Sequence, residues 1–172
     1  TQEIFSMEEL IESFSFERVN KSGAKFDPEK TKWFNQQYLR KKSDEELATL
    51  FISTFTEQLN QTSNSKLKTQ DYIERVCKLV KEKAHFVNEF WNSGSYFFTA
   101  PTTYDVDVLK KRLNTQTADF IKQLAEGYKA LDTFTAVETE GLFKATAEKL
   151  TLGAGQVMQL FRVTISGVGG GP

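Results

Sequence analysis

Short apolar stripes at three-and-four spacing alternate with polar connectors along the chain, a pattern that predicts helices and leaves almost no strand-like alternation. Ser6-Met7-Glu8-Glu9 reads as a capping box, in which the Ser6 hydroxyl accepts from the third helical amide and Glu9 reaches back to the cap. Leu10, Ile11 and Phe14 follow, so a helix of about three turns is expected there. Asp27-Pro28 places a cap ahead of a proline at the first helical position, where its missing N–H costs nothing, and predicts a helix over 28–40. Ser43-Asp44-Glu45-Glu46 is a second capping box. Leu47, Leu50, Phe51, Phe55 and Leu59 behind it predict one unbroken helix with a single buried face, ending near Asn60.

The polar run QTSNS at 61–65 predicts a boundary between two helical subdomains. Beyond it Tyr72, Ile73, Val76, Leu79 and Val80 resume the stripe, and Phe86, Val87, Phe90 and Trp91 extend it past a break near His85 until Asn92-Ser93-Gly94 stops it. Residues 95–104 read as a loop, with Pro101 set against a helix. Three more stripes follow: Val108, Leu109 and Leu113; Phe120, Ile121, Leu124, Tyr128 and Leu131; then Val137, Leu142, Phe143, Ala147 and Leu150. The expected fold class is all-α, two packed helical subdomains.

Composition agrees with this picture. The 172 residues, 39% hydrophobic and 26% charged, suit one ordinary domain or two small ones, and 15 phenylalanines against three prolines favour packed helices over disorder. Cys77 is the single cysteine, which excludes an internal disulfide, and no charged-then-apolar leader opens the chain. A reducing, cytoplasmic location is expected. No apolar run approaches the roughly 20 residues of a membrane span. Thr1 in place of an initiator methionine, and the terminal GVGGGP, read as an excised piece of something longer; a processed or trimmed chain is the alternative.

Candidate chemistry is sparse. No glycine-rich phosphate loop follows a strand pattern, and no pair of histidines or cysteines has metal-ligand spacing. His85, with no nucleophile or partner in view, reads as a helix-surface or core-edge residue, and Cys77 as a small core residue. Charge changes the picture more. The net balance is -1, yet between Arg18 and Lys42 eight bases face only Asp27 and Glu29, and between Lys66 and Lys83 six bases face three acids. Two basic patches of this kind fit a polyanion backbone, with nearby aromatics able to stack on unpaired bases; a solvated helical face is the plainer reading of the same runs.

A family resemblance narrows the choice. Residues 16–40, FERVNKSGAKFDPEKTKWFNQQYLR, closely resemble a gap-free segment of bacterial glutamyl-tRNA synthetases, and residues 155–167, GQVMQLFRVTISG, with Gly171-Pro172, are similar to a second segment in the same order. The resemblance implies a stem-contact part over 1–66 and an anticodon-binding helical cage over 67–172, truncated at its C-terminus. It implies a catalytic centre and its ATP and Mg2+ elsewhere in a parent glutamate–tRNA ligase, with none in this part. The implied partner is tRNA(Glu), the implied parent a cytoplasmic monomer. Arg162 matches a family arginine that contacts the anticodon; a helix-surface arginine is the alternative. Lys83 falls where a family arginine reads the last anticodon base, and lysine, a flexible point donor, leaves looser discrimination or a neighbouring reader as alternatives. Lys21, Lys25, Lys32 and Arg40 are expected to contact stem phosphates, while Trp33 and Tyr38 are expected in the core. The competing readings are a class I lysyl-tRNA synthetase, which has the same helical cage, and a helical protein-interaction adaptor. The bacterial glutaminyl enzyme, which reads its anticodon with β-barrels, does not match a chain without strand pattern.

Overall fold

In the structure, a computed structural model that describes residues 2–19, 22–23 and 25–170, there are ten α-helices and no strand among the described residues. The chain divides into two compact units, one up to Gly94 and one from Ser95.

In the first unit α1 (Met7–Ser13) starts on the expected capping box, the Ser6 hydroxyl accepting from Glu9 N–H at 3.2 Å and Glu9 accepting from Ser6 N–H at 2.7 Å. It runs for only seven residues and buries none of them, so it is two turns rather than three. α2 (Pro28–Lys41) begins where Asp27 and Pro28 place it, with Asp27 Oδ1 accepting from Glu29 and Lys30 N–H. α3 (Asp44–Thr54) carries the second capping box between Ser43 and Glu46.

The single helix expected over 44–60 is broken. α3 ends at Thr54 and α4 (Thr56–Gln61) follows, with Phe55 at φ -115, ψ 30 serving as the cap of both. The cause lies in the hydroxyls around it: Thr56 Oγ1 donates to the Ile52 carbonyl (2.8 Å) and Ser53 Oγ to the Leu50 carbonyl (2.9 Å), competing with backbone donors. The apolar spacing survives because Phe55 N–H still reaches Phe51 O and Leu59 N–H reaches Phe55 O, each at 2.9 Å. Leu50 leaves the stripe and is exposed.

α5 (Gln70–Val80) buries Ile73, Val76, Cys77 and Val80, spaced to lie on one face, against Leu47, Ala48 and Phe51 of α3. The α3–α5 pairing explains why the boundary expected at 61–65 falls inside one compact unit: the helices on either side of that connector share a core. α6 (Phe90–Gly94) closes the unit by bringing Trp91 within 6.2 Å of the Phe51 ring and 5.8 Å of Phe55.

In the second unit the expected loop opens with a 3-10 turn, Ser95–Phe97, and then leads to α7 (Val106–Arg112), α8 (Thr115–Lys129), α9 (Ala136–Lys149) and α10 (Ala154–Ser166). Phe120, Leu124, Phe143, Ala147, Leu152 and Val157 form its core, with the Phe120 and Phe143 rings edge-on at 5.2 Å. Buried Thr117 ties α7 to α8: its hydroxyl donates to the Arg112 carbonyl (2.8 Å) and accepts from Asn114 N–H (2.9 Å). α9 is followed by Thr151 at φ 55, a left-handed conformation in which a β-branched residue is strained. Thr151→Gly is therefore expected to stabilise this unit by about 0.5–1 kcal/mol, net of glycine's larger backbone entropy in the unfolded chain; urea denaturation reads it as a raised midpoint.

Candidate nucleic-acid interface

The basic residues singled out by sequence differ in how far the fold commits them. Lys25 is exposed in the segment ahead of α2, and Lys21 lies outside the described residues. Lys32, on α2, donates to Glu29 Oε1 at 2.8 Å, and that hydrogen bond with the carboxylate charge raises its pKa. Arg40, near the end of the same helix, turns to the end of α5: its Nε lies 3.1 Å from Glu82 Oε2 and its Nη2 donates to the Glu82 carbonyl at 2.5 Å. Lys83, the residue after Glu82, is exposed. Arg40 and Lys83 are thus neighbours although 43 positions separate them in the chain, the difference between 83 and 40.

Trp33 and Tyr38, expected in the core, are at the surface, 38% and 42% exposed. The α2 face that meets the rest of its unit is narrow, with Leu39 its only buried member. Trp33 rests edge-on against Phe34 at 5.1 Å, and Tyr38 spends its hydroxyl on the Phe5 carbonyl at 2.8 Å with Lys41 Nζ 5.9 Å above its ring. Both rings can meet a base. His85 is half-buried, its Nδ1 3.7 Å from Glu89 Oε2. Cys77 is fully buried, and burial pushes its thiol up to about 12, which makes it an inert core group.

In the second unit Arg162 stands exposed on α10, with no ion pair or hydrogen bond from its side chain to the described residues. One turn before it Met158 lines an open cleft of about 280 Å³ together with Tyr128, Phe134, Thr139, Glu140, Phe143 and Phe161. The lining is almost wholly apolar and aromatic: Tyr128 lies edge-on to Phe134 (5.5 Å) and Phe161 (6.3 Å), and Phe143 to Phe161 (5.4 Å). The Tyr128 hydroxyl donates to the Thr139 carbonyl (3.2 Å), which fixes the ring, and burial raises its pKa. Phe134 stays 70% exposed at the rim. A flat ring entering this cleft would find aromatic edges and faces, with a guanidinium on the helix face that carries Met158.

Sequence reading missed this cleft. It assigned Tyr128 and Phe143 to helical stripes and left α10 unassigned as a helix. The available signal was Val157, Leu160 and Val163 with Met158 and Phe161 beside them. Among the described residues no three histidine, cysteine or carboxylate side chains converge as a metal site, and no helix is long and apolar enough to cross a membrane.

Taken together, the helices, the exposed cations and the aromatic cleft define an all-α module whose chemistry is that of binding. A family model described as the anticodon binding domain matches residues 34–172, and the chain belongs to that family. It is 44% identical over 171 residues to a glutamate–tRNA ligase of Flavobacterium psychrophilum and 42% identical to one of Flavobacterium johnsoniae, in each case 99% of this chain and 33% of the relative. The crystal structure of a glutamate tRNA ligase from Elizabethkingia meningosepticum in complex with its amino acid superposes with a TM-score of 0.86 at 36% identity, over 99% of this chain and 33% of that one. The chain thus spans about a third of the length of the relatives it matches.

Proposed function

We propose that this chain is the tRNA-binding part of a glutamate–tRNA ligase, gripping tRNA(Glu) while the rest of the ligase joins glutamate to it. The observation that carries the reading is the match of nearly the whole chain to one third of several such ligases, and the aromatic cleft lined by Tyr128, Phe143 and Phe161 gives it a physical basis. Division of labour follows from the chemistry of the groups. Lys21, Lys25 and Lys32 are suited to phosphate oxygens of the stem, over the part of the chain up to about residue 66, and such contacts fix register without reading sequence. Arg162 beside the aromatic cleft is suited to an unstacked anticodon base, its planar fork bonding an edge while the rings take a face. Lys83 takes the last anticodon base as a point donor. ATP and Mg2+ belong to the part of the ligase that this chain does not span, and the whole protein works as a cytoplasmic monomer.

Titration of the chain with tRNA(Glu) transcript at several salt concentrations tests the proposal. Log affinity is expected to fall linearly with log salt, the more steeply the more stem phosphates are neutralised. Changing an anticodon base read by a fork-like contact is expected to cost about 1–3 kcal/mol. Binding indifferent to both salt and anticodon sequence would overturn the reading.

A further inference from the structure

α5 and α6 are connected through residues 81–86 and a 3-10 turn, Val87–Glu89, and the first of these segments is held from several sides. At its start Lys81 Nζ pairs with Asp44 Oδ1 of α3 at 2.6 Å, and this pair is among the least exposed ion pairs described. Lys83 and Ala84 N–H both donate to the Val80 carbonyl (3.1 and 3.3 Å), and the Ala84 methyl is buried. At its end His85 N–H donates to Glu89 Oε2 at 2.7 Å. Three donors of α2 then take the carbonyls that the turn leaves over: Arg40 Nη2 and Gln36 Nε2 reach Glu82 O (2.5 and 3.3 Å), and Asn35 Nδ2 reaches His85 O.

The Glu82 carbonyl belongs to the same planar peptide unit as the Lys83 N–H. Val80 therefore holds one edge of that plane, and Arg40 with Gln36 the other. The next plane is held as well, through Ala84 N–H on Val80 O, and with both planes fixed the direction in which the Lys83 side chain leaves the backbone is set. For a lysine this matters more than for an arginine, because a flexible stem carrying a point charge has little orientation of its own. Anchoring its base removes part of the ordering cost of binding.

We propose that Arg40 is a positioning residue: it clamps the peptide unit of Lys83 and so aims the lysine at the anticodon, rather than meeting a phosphate itself. This rests on the reading of Lys83 given above. Arg40 donates from Nη2 to the Glu82 carbonyl, and its buried Nε lies 3.1 Å from the Glu82 carboxylate, so this side of the guanidinium is turned into the protein.

The test is the ratio of affinities for two anticodon stem-loop RNAs that differ only in the last anticodon base, measured by fluorescence anisotropy for the chain and its Arg40→Met, Glu82→Gln, Lys83→Ala and Arg40→Met/Lys83→Ala variants. R40M is expected to lower the ratio about three- to tenfold, with no further loss in the double variant beyond K83A alone, as for two groups acting through one contact. The salt slope of R40M should equal that of the parent chain. E82Q, altered at a side chain that is 61% exposed and so tolerant of change, should lower the ratio too, and it carries the test if R40M fails to fold. If R40M weakens both RNAs equally with a shallower salt slope, or E82Q tightens both with the ratio intact, Arg40 is a phosphate contact and the proposal falls. If K83A leaves the ratio unchanged, the assignment of Lys83 falls first and positioning falls with it.

Discussion

Replacing Gly167 by valine will destabilise the second unit by about 2–6 kcal/mol, the sum of a strained backbone and a forced contact. Gly167 ends α10 at φ +80, a left-handed conformation that a β-branched residue resists. A Cβ there would stand 2.6 Å from the Thr103 carbonyl oxygen and 3.0 Å from Pro101 Cβ, so backbone would have to move. The movement would spread, because Gly167 N–H donates to Val163 O while its carbonyl accepts from Asp105 N–H, each at 2.8 Å. Asp105 in turn caps α7 through Val108 N–H. One residue thus joins the end of α10 to the start of α7. Gly141, within α9 and with nothing within 4 Å of an added Cβ, is the matching control: Gly141→Ala is expected to gain about 0.5–1 kcal/mol. Urea melts of the two variants, compared with the parent chain, check both signs.

Phe51→Ala is expected to cost about 3–5 kcal/mol in the first unit, the usual range for emptying a buried phenylalanine site. Phe51 is fully buried on α3, its ring 4.8 Å from Phe55 and 6.2 Å from Trp91. Phe55 is the shared cap of α3 and α4 and Trp91 belongs to α6, so neither can move in to fill the space without dragging its own contacts. A loss below about 1 kcal/mol in chemical denaturation would mean that α3, α5 and α6 do not share the core described.

The helix starts were legible because capping is local chemistry. Ser6, Asp27 and Ser43 each announce a helix through a side chain within three residues of the amide it satisfies. The break at Phe55 was not legible from the apolar spacing, since a one-residue kink leaves Phe51, Phe55 and Leu59 pointing to the same core. α10 was hidden by its entry: Gly153 offers no side-chain cap and Gly155 weakens the first turn. The compact units divide elsewhere than at the polar connector, because a connector marks a turn in the chain whereas a compact unit is set by which stripes meet, and α3 meets α5 across residues 61–65.

For the candidate interface, charge runs located the basic residues but said nothing of their partners. Arg40 and Lys83 belong to different patches in sequence and to one hydrogen-bonded cluster in the fold, and only long-range contacts reveal that. The aromatic cleft was invisible for the same reason: Tyr128, Phe143 and Phe161 come from three helices, and each alone resembles a core position.

The burial of Cys77 has a use of its own. With a single sulfhydryl in the chain, seated on the α5 face that α3 covers and kept protonated to about 12, a thiol reagent has nothing to attack until α5 lifts away. The pace of alkylation then becomes a clock for the opening of that helix pair, running in the native protein without any label being introduced.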